Sequence, residues 1–453
     1  MREKAESQAF ESEVEEGQEE EKSPFGKKIT DAPCRVVVPP SPASEATVEI
    51  WTEGVLVKPK QGSTVFVPYT EAMGVDPSNY RIEVITASRV ITVSALGLKY
   101  DHFSQKLTDA WGDALARALL MEEPTEIYEA RATYVHTLGD RRISGTCRAR
   151  ICQTSLIVLP SNSPPTRVSL PSIKSVTSEN YVLRVETSRK GTFEFSKMGV
   201  SSQYFSDKLV SAQRDIESIS LKTVRELIPS ASYEDLQAVA RLMPEGRAAK
   251  RRDIEAFSAE LWVALERKAE DSPLGETYKY LVSLSERDHV AIGVKKSMLE
   301  TYVWFLVPVF GSKELGGNCI AMEVTSKSGH ATYLFRVIGR RAYPSADRSL
   351  FLEESDRVGE AINEAMIATG FRREPIYLSS EKLSSSEHTR YLYAARNLDE
   401  LRLLREKFFA RLIHTDFEGW KSSLHEALVF NTQAVEDQAR WARSQLEPEE
   451  EAA

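Results

Sequence analysis

Part of this chain is written twice, and that constrains its fold more than any other feature. Between Gly54 and Leu107, and again between Ser155 and Leu209, the same residue types recur in the same order at an offset of 101 to 103 residues. Pro68 answers to Pro171, Tyr80 to Tyr181 and Gly97 to Gly199. Phe103, Ser104, Lys106 and Leu107 answer to Phe205, Ser206, Lys208 and Leu209. A repeat of this length predicts two copies of one structural module rather than one large domain.

Within each copy the apolar period is first two, then three to four. Val55-Leu56-Val57 and Leu156-Ile157-Val158 lead into turns at Lys60-Gln61-Gly62 and Ser163-Pro164-Pro165. A second strand alternates through Val65 and Val67, or Val168 and Leu170. A third alternates through Tyr80, Ile82 and Val84, or Tyr181, Leu183 and Val185, and a fourth runs through Val90 to Val93, or Thr192 to Phe195. Short alternating strands between polar turns predict an antiparallel sheet with one wet face. Phe103, Leu107, Ala110, Trp111, Leu115 and Leu119 then recur at helical spacing, as do Phe205, Leu209, Ala212 and Ile216. An amphipathic helix of this kind can cover the open apolar face of the sheet before it.

This order resembles the PH-like superfold, in its prokaryotic and GRAM-like branch. Gly145 to Pro160 looks like the family's opening hairpin, and Arg167 to Val176 like its next strand and following turn. In the first copy the opening strand is expected from Ala46 to Thr52, with Val48 and Ile50 inward. The resemblance spans roughly 45–270 and implies an α+β protein of tandem PH-like modules, each a small curved sheet or barrel capped by a C-terminal helix.

The expected boundaries follow. Residues 1–44 read as a disordered acidic tail and lead-in, 45–121 and 127–220 as the two modules, and 221–270 as a helical extension. Residues 276–380 form a third strand-plus-helix unit, 385–446 a helical C-terminal region and 447–453 an acidic tail. Ser232 with Asp235 predicts a capped helix start, and Met243-Pro244-Glu245-Gly246 its stop. The third unit alternates at Tyr302, Trp304 and Leu306, at Ile320, Met322 and Val324, and at Tyr333, Phe335 and Val337, with a helix over 350–369. A divergent PH-like unit is the first expectation there. Leu398, Leu401, Leu404, Phe408 and Leu412 form one helical stripe, and Trp420, Leu424, Leu428 and Val435 another. These read as core or helix–helix seams, which leaves a coiled coil and oligomerisation through these helices open.

Charge narrows the function classes. The net charge is −9, but residues 1–28 hold nine acids and five bases, and 447–453 hold four acids and no base, so the body is close to neutral. A general nucleic-acid binder needs a basic footprint, so none is expected. Four cysteines are too few for a disulfide scaffold. Cys147 and Cys152, with no second pair and no neighbouring histidine, read as structural thiols rather than zinc ligands. The start of the chain shows no apolar leader, and the longest apolar run, Tyr302 to Phe310, falls short of the about 20 residues a helical span needs. A cytoplasmic protein is expected.

No phosphate-loop, dinucleotide-binding, zinc-protease or nucleophile-elbow pattern is present. Gly293-Val294-Lys295-Lys296-Ser297 lacks the upstream glycine of a phosphate loop, and His414-Thr415-Asp416 reads as a helix-terminal histidine beside a capping aspartate. Hence no catalytic residue, metal or cofactor is expected. Two basic features remain as candidate binding residues. Lys58 and Lys60 lie in the first hairpin turn, where lipid-binding PH domains hold headgroups by charge-assisted hydrogen bonds. Arg247, Lys250, Arg251 and Arg252 cluster ahead of a helix. The leading expectation is a non-enzymatic interaction or scaffold protein that binds a protein partner. The alternative is recognition of anionic lipid at a membrane surface, or of another polyanion, through those bases. An enzyme of unrecognised class, with a site near Trp304 or His414, is the third reading.

Overall fold

The computed structural model describes residues 23–121, 125–296, 301–312, 315–324, 330–385, 388–414 and 416–432. The acidic arm up to residue 22 and the tail 447–453 lie outside them. The protein is α+β with three antiparallel sheets. The chain divides into two compact units, Met1–Ala114 and Leu115–Ala453.

The first unit holds β1 (Lys28–Val37), β2 (Ser44–Trp51), β3 (Gly54–Pro59), β4 (Val65–Pro68), β5 (Ala72–Ser78), β6 (Arg81–Thr86) and β7 (Val90–Ser94), then most of α1 (Tyr100–Ala118). The strands run across the sheet in the order β4-β3-β2-β1-β7-β6-β5. β1 joins the two halves, pairing with β2 from Lys28 to Val36 and with β7 from Arg35 to Val37. The sequence reading opened this module at 45 and placed β1 in the unfolded lead-in. Asp31, Pro33 and Arg35 hide the strand, but they occupy its exposed parity, while Ala32, Cys34 and Val36 are buried. Pro33 lies before the short stretch that β7 joins, where a proline is tolerated.

The second unit opens with the other copy: β8 (Glu126–Leu138), β9 (Arg141–Cys152), β10 (Ser155–Pro160), β11 (Thr166–Ser169), β12 (Ile173–Glu179), β13 (Val182–Thr187), β14 (Thr192–Ser196) and α2 (Ser201–Arg225). Its strand order, β11-β10-β9-β8-β14-β13-β12, is that of the first sheet. Gly145 to Pro160, expected as the opening hairpin, holds the second and third strands; β8 precedes them. The strands keep an offset of 101 residues as far as Arg81 and Val182, so Pro68 aligns with Ser169 and not with Pro171. Leu183, Val185, Phe193 and Phe195 pack with Phe205, Leu209, Ala212 and Ile216 of α2. Both helices are tied to the first residue of the edge strand by a side chain at the same helical position. Trp111 Nε1 donates to the Ala72 carbonyl at 3.3 Å, and Gln213 Nε2 donates to Leu170 and Ile173 carbonyls at 3.3 and 3.4 Å.

The remainder adds α3 (Tyr233–Leu242), β15 (Ala249–Lys250), α4 (Arg251–Glu255), α5 (Ala259–Glu270), α6 (Gly275–Ser283), β16 (Ala291–Lys296), β17 (Thr301–Ser312), β18 (Gly316–Val324) and β19 (Ala331–Arg336). Then come α7 (Arg348–Ala368), α8 (Glu374–Tyr377), α9 (Ser380–Leu383), α10 (Thr389–Asn397), α11 (Asp399–Lys407), β20 (Phe408–Ile413) and α12 (Phe417–Thr432). The Ser232 hydroxyl accepts from the Asp235 N–H at 3.1 Å, the cap its spacing predicts. β15 to β20 form a six-stranded sheet in sequence order. This unit differs from the two copies in strand number, in order, and in being covered on both faces. Val303, Phe305, Val307 and Val309 face a core shared with α3, α5, α6 and α12, whereas Trp304 and Leu306 face one shared with α7, α10 and α11. Two-sided burial is why Val303, Phe305 and Val307, between the alternating positions the sequence picked out, are apolar too, so that the strand reads as the unbroken run YVWFLVPVF.

Two expected boundaries move accordingly. The extension over 221–270 contributes β15 and much of one helical layer to the third sheet, so it belongs to that unit. Phe408 and Leu412, expected on a helical stripe, lie in β20, which returns to the sheet beside β19. Once α11 ends at Lys407, Ala410 and Leu412 are buried at a period of two. Trp420, Leu424 and Leu428 pack onto the sheet, and Val435 lies outside the described residues. Gly293, the last trace of a phosphate-loop pattern, faces Trp304 across the ladder; a Cβ there would meet the indole nitrogen at 2.1 Å. That indole donates to the Gly246 carbonyl at 2.7 Å.

If both faces of β17 are core, Phe305→Ala and Trp304→Ala should each destabilise the second unit by about 3–5 kcal/mol in urea unfolding. A strand with one wet face would show that cost at one of the two positions only.

Candidate functional site

The six bases singled out in the sequence are each met by a carboxylate. Lys58 Nζ pairs with Glu49 Oε1 at 2.9 Å, and Lys60 pairs with Glu45. Glu49 is buried and also accepts from Lys28 Nζ at 3.2 Å and Trp51 Nε1 at 3.0 Å. Burial alone would raise its carboxyl, but the hydrogen bonds from Lys58, Lys28 and Trp51 outweigh it and hold the group below the ordinary carboxylate range.

The other four bases surround β15 and the start of α4, and most are met by acids spaced one turn apart on α7. Arg247 pairs with Glu364 at 3.1 Å and with Glu360, and Glu360 also takes Arg189 from the second module at 2.5 Å. Lys250 Nζ and Arg252 Nη2 each reach Asp356 at 2.9 Å, and His289 Nδ1 lies 3.3 Å from it. Arg251 pairs instead with Glu255 at 2.8 Å. Arg247, Lys250, His289, Asp356 and Glu360 line a cleft of about 150 Å³. Each base has a carboxylate partner, so the cluster works as an internal clasp between β15, α4 and α7. A polyanion would have to break those pairs to bind.

The thiols and the histidine motif are also taken up inside. Cys147 lies in the core of the second module and Cys152 in a cluster with Ile157 and Leu159, because residues five apart on a strand face opposite ways. Burial pushes the Cys34 and Cys147 thiols up to about 11 and about 12, and raises Cys319 as well, which makes them poor nucleophiles. His414 directly follows β20 rather than ending a helix, and its Nε2 lies 2.8 Å from Glu323 Oε1 of β18. Thr332 also bonds Glu323, and Trp420 Nε1 donates to the Thr332 hydroxyl at 2.7 Å. Glu323 and Thr332 are wholly buried, so the group clasps β18, β19, β20 and α12 together. Asp416 caps α12 through the Gly419 N–H at 2.7 Å. The sequence pattern found His414 and Asp416; Glu323, 91 residues away in the chain, gave no signal.

What the sequence missed is the outside of the two copies. Tyr80 and Tyr181, expected to open an inward-facing strand, are turn residues. Asn79 and Tyr80 have φ of 51° and 55°, and Asn180 and Tyr181 of 50° and 62°, as a two-residue hairpin turn of this hand demands. The tyrosines are 78% and 90% exposed. A short loop further on, Leu98 and Val200 follow Gly97 and Gly199, at φ of 54° and 59°, and are fully exposed. The signal was the asparagine before each tyrosine, a residue that tolerates left-handed backbone.

No protein-family model matches the chain, and no curated protein matches it. Among solved structures it is similar to the Spt16D Pob3N heterodimer, at 13% identity over 42% of this chain and 92% of that chain, with a TM-score of 0.16. The architecture therefore rests on the chain's own sheets and not on that likeness.

The clasp has a pH signature. Burial would raise the Asp356 carboxyl, but the hydrogen bond and charge of Lys250, with His289 and Arg252, hold it below the ordinary range. Its contribution is present above the unfolded value of about 3.9 and lost as pH falls through the lower folded one. Asp356→Asn should thus be less stable than the parent chain at pH 7, with the gap closing towards pH 3 in thermal unfolding.

Proposed function

We propose that this chain is a non-enzymatic interaction protein, and that two PH-like modules each present an apolar tip to a protein partner. Support for the PH-like reading comes from the shared order of seven strands and the following helix in both copies. The observation that carries the function is the repeated pair of exposed apolar side chains, Tyr80 with Leu98 and Tyr181 with Val200. A bulky residue in left-handed backbone costs about 1–2 kcal/mol. At 78% and 90% exposure the two tyrosines recover little of that by burial, although the Tyr80 ring lies against Tyr100 at 5.3 Å between centroids. Such strain collects at functional positions, and here it stands in the same setting twice. Aromatic side chains of this kind are the usual anchors of protein interfaces. The pairing of Lys58, Lys60 and the Arg247–Arg252 cluster with carboxylates weighs against anionic lipid as the ligand.

The test is a photo-crosslinking residue placed at Tyr80, at Tyr181 and at the exposed control Phe257 in the native cell. The expected result is one protein partner captured at both tyrosine positions and not at the control. Tyr80→Gly with Tyr181→Gly should abolish complex formation while shifting unfolding stability by no more than about 1 kcal/mol, because relief of the left-handed strain offsets loss of the Tyr80–Tyr100 ring contact. Capture at the control alone, or a complex untouched by the double variant, would sink the proposal.

A further inference from the structure

A second surface lies between α2 and α3. Arg214, Glu217 and Leu221 from α2 and Tyr233, Ala240 and Arg241 from α3 line a groove of about 180 Å³. Four other arginines of this unit are matched: Arg167 with Glu245, Arg184 with Glu194, Arg189 with Glu360 and Arg252 with Asp356. Among the described residues, the side chains of Arg214, Glu217 and Arg241 form no ion pair or hydrogen bond. The groove thus holds two open guanidinium groups, one on each wall, against one carboxylate. Between them lies apolar surface from Leu221 and Ala240. Tyr233 is 56% exposed at the rim, its hydroxyl held by Gln237 Nε2 at 3.0 Å, and Ile219 on α2 is 66% exposed.

The geometry points to a docking groove for an acidic peptide segment of a partner protein, with carboxylates on Arg214 and Arg241 and an apolar side chain against Leu221 and Tyr233. Charge complementarity decides the occupant. Guanidinium groups pair with carboxylates in strong, oriented hydrogen bonds, and a groove between two helices fits a short segment laid along it. A free anion would use the charges and leave the apolar floor uncovered. A bilayer needs apolar side chains standing on a tip, and these line a recess. The inference rests on the reading of the chain as a binding protein, but on a different surface from the tyrosine tips.

The probe is a fluorescein-labelled peptide of repeated Glu-Glu-Leu-Glu, titrated with the full chain by anisotropy at low salt. Saturable binding is expected, weakened by about tenfold or more in Arg214→Ala with Arg241→Ala and by added salt, and kept in the control Arg225→Ala. The Arg214→Glu, Arg241→Glu chain should lose this peptide and gain a Lys-Lys-Leu-Lys repeat. Binding indifferent to both double variants, or phosphatidylserine vesicles bound through the two arginines while the peptide is not, would overturn the inference. The arginine variants leave crosslinking at Tyr80 and Tyr181 intact if the groove reading alone is wrong; loss of crosslinking in the parent chain is failure of the wider reading.

Discussion

The second unit depends on the burial of one sheet from both sides. β17 and β18 carry apolar side chains at both parities, so helices must cover each face or several large side chains meet water. At roughly 1.5–3 kcal/mol for each fully buried Val, Leu, Ile or Phe, neither face can be left open. That requirement recruits chain from far apart: α3 comes before the sheet, α4 to α6 between β15 and β16, α7 to α11 between β19 and β20, and α12 after β20, on the same face as α5 and α6. It also explains the polar clasps. Glu323 with His414, and Asp356 with Lys250, Arg252 and His289, pin the helical layers and strand ends that burial brings together.

The two copies solve a different problem. A seven-stranded sheet that pairs its halves through one long strand still has an apolar face and a starting edge at β5 or β12. The closing helix covers the face, and Trp111 or Gln213 bonds the first carbonyl of that edge. One position thus does the same work with an indole in one copy and an amide in the other. Shape and hydrogen bonding, rather than residue identity, are what the repeat preserves.

This is also where the sequence was legible and where it was not. The closing helices, the period-two strands and the Ser232 cap could be read because the relevant neighbours lie within a few residues. β1 could not, because its buried parity is short and small, and Pro33 looks like a break. The third unit was seen as strands plus a helix, with a divergent PH-like unit as the first expectation; its six-stranded order stayed hidden, since apolar residues at both parities do not tell which side is wet. β20 was lost because Leu404, Phe408 and Leu412 also fit a helical spacing. At the candidate site the bases were visible, but their acids on α7 lie more than 100 residues away, as Arg252 and Asp356 show. Pairing, not composition, is what the sequence could not show for these bases.

The account turns on the outer turns of the two copies being held strained and exposed for a partner. Hydrogen exchange of the chain, alone and in complex with its captured partner, tests this most directly. It predicts that 78–81 and 97–99 gain protection together with 179–182 and 199–201, while β17 and the Arg247–Arg252 cluster exchange as before. Protection confined to one copy, or appearing at the basic cluster while both turns stay open, would contradict it.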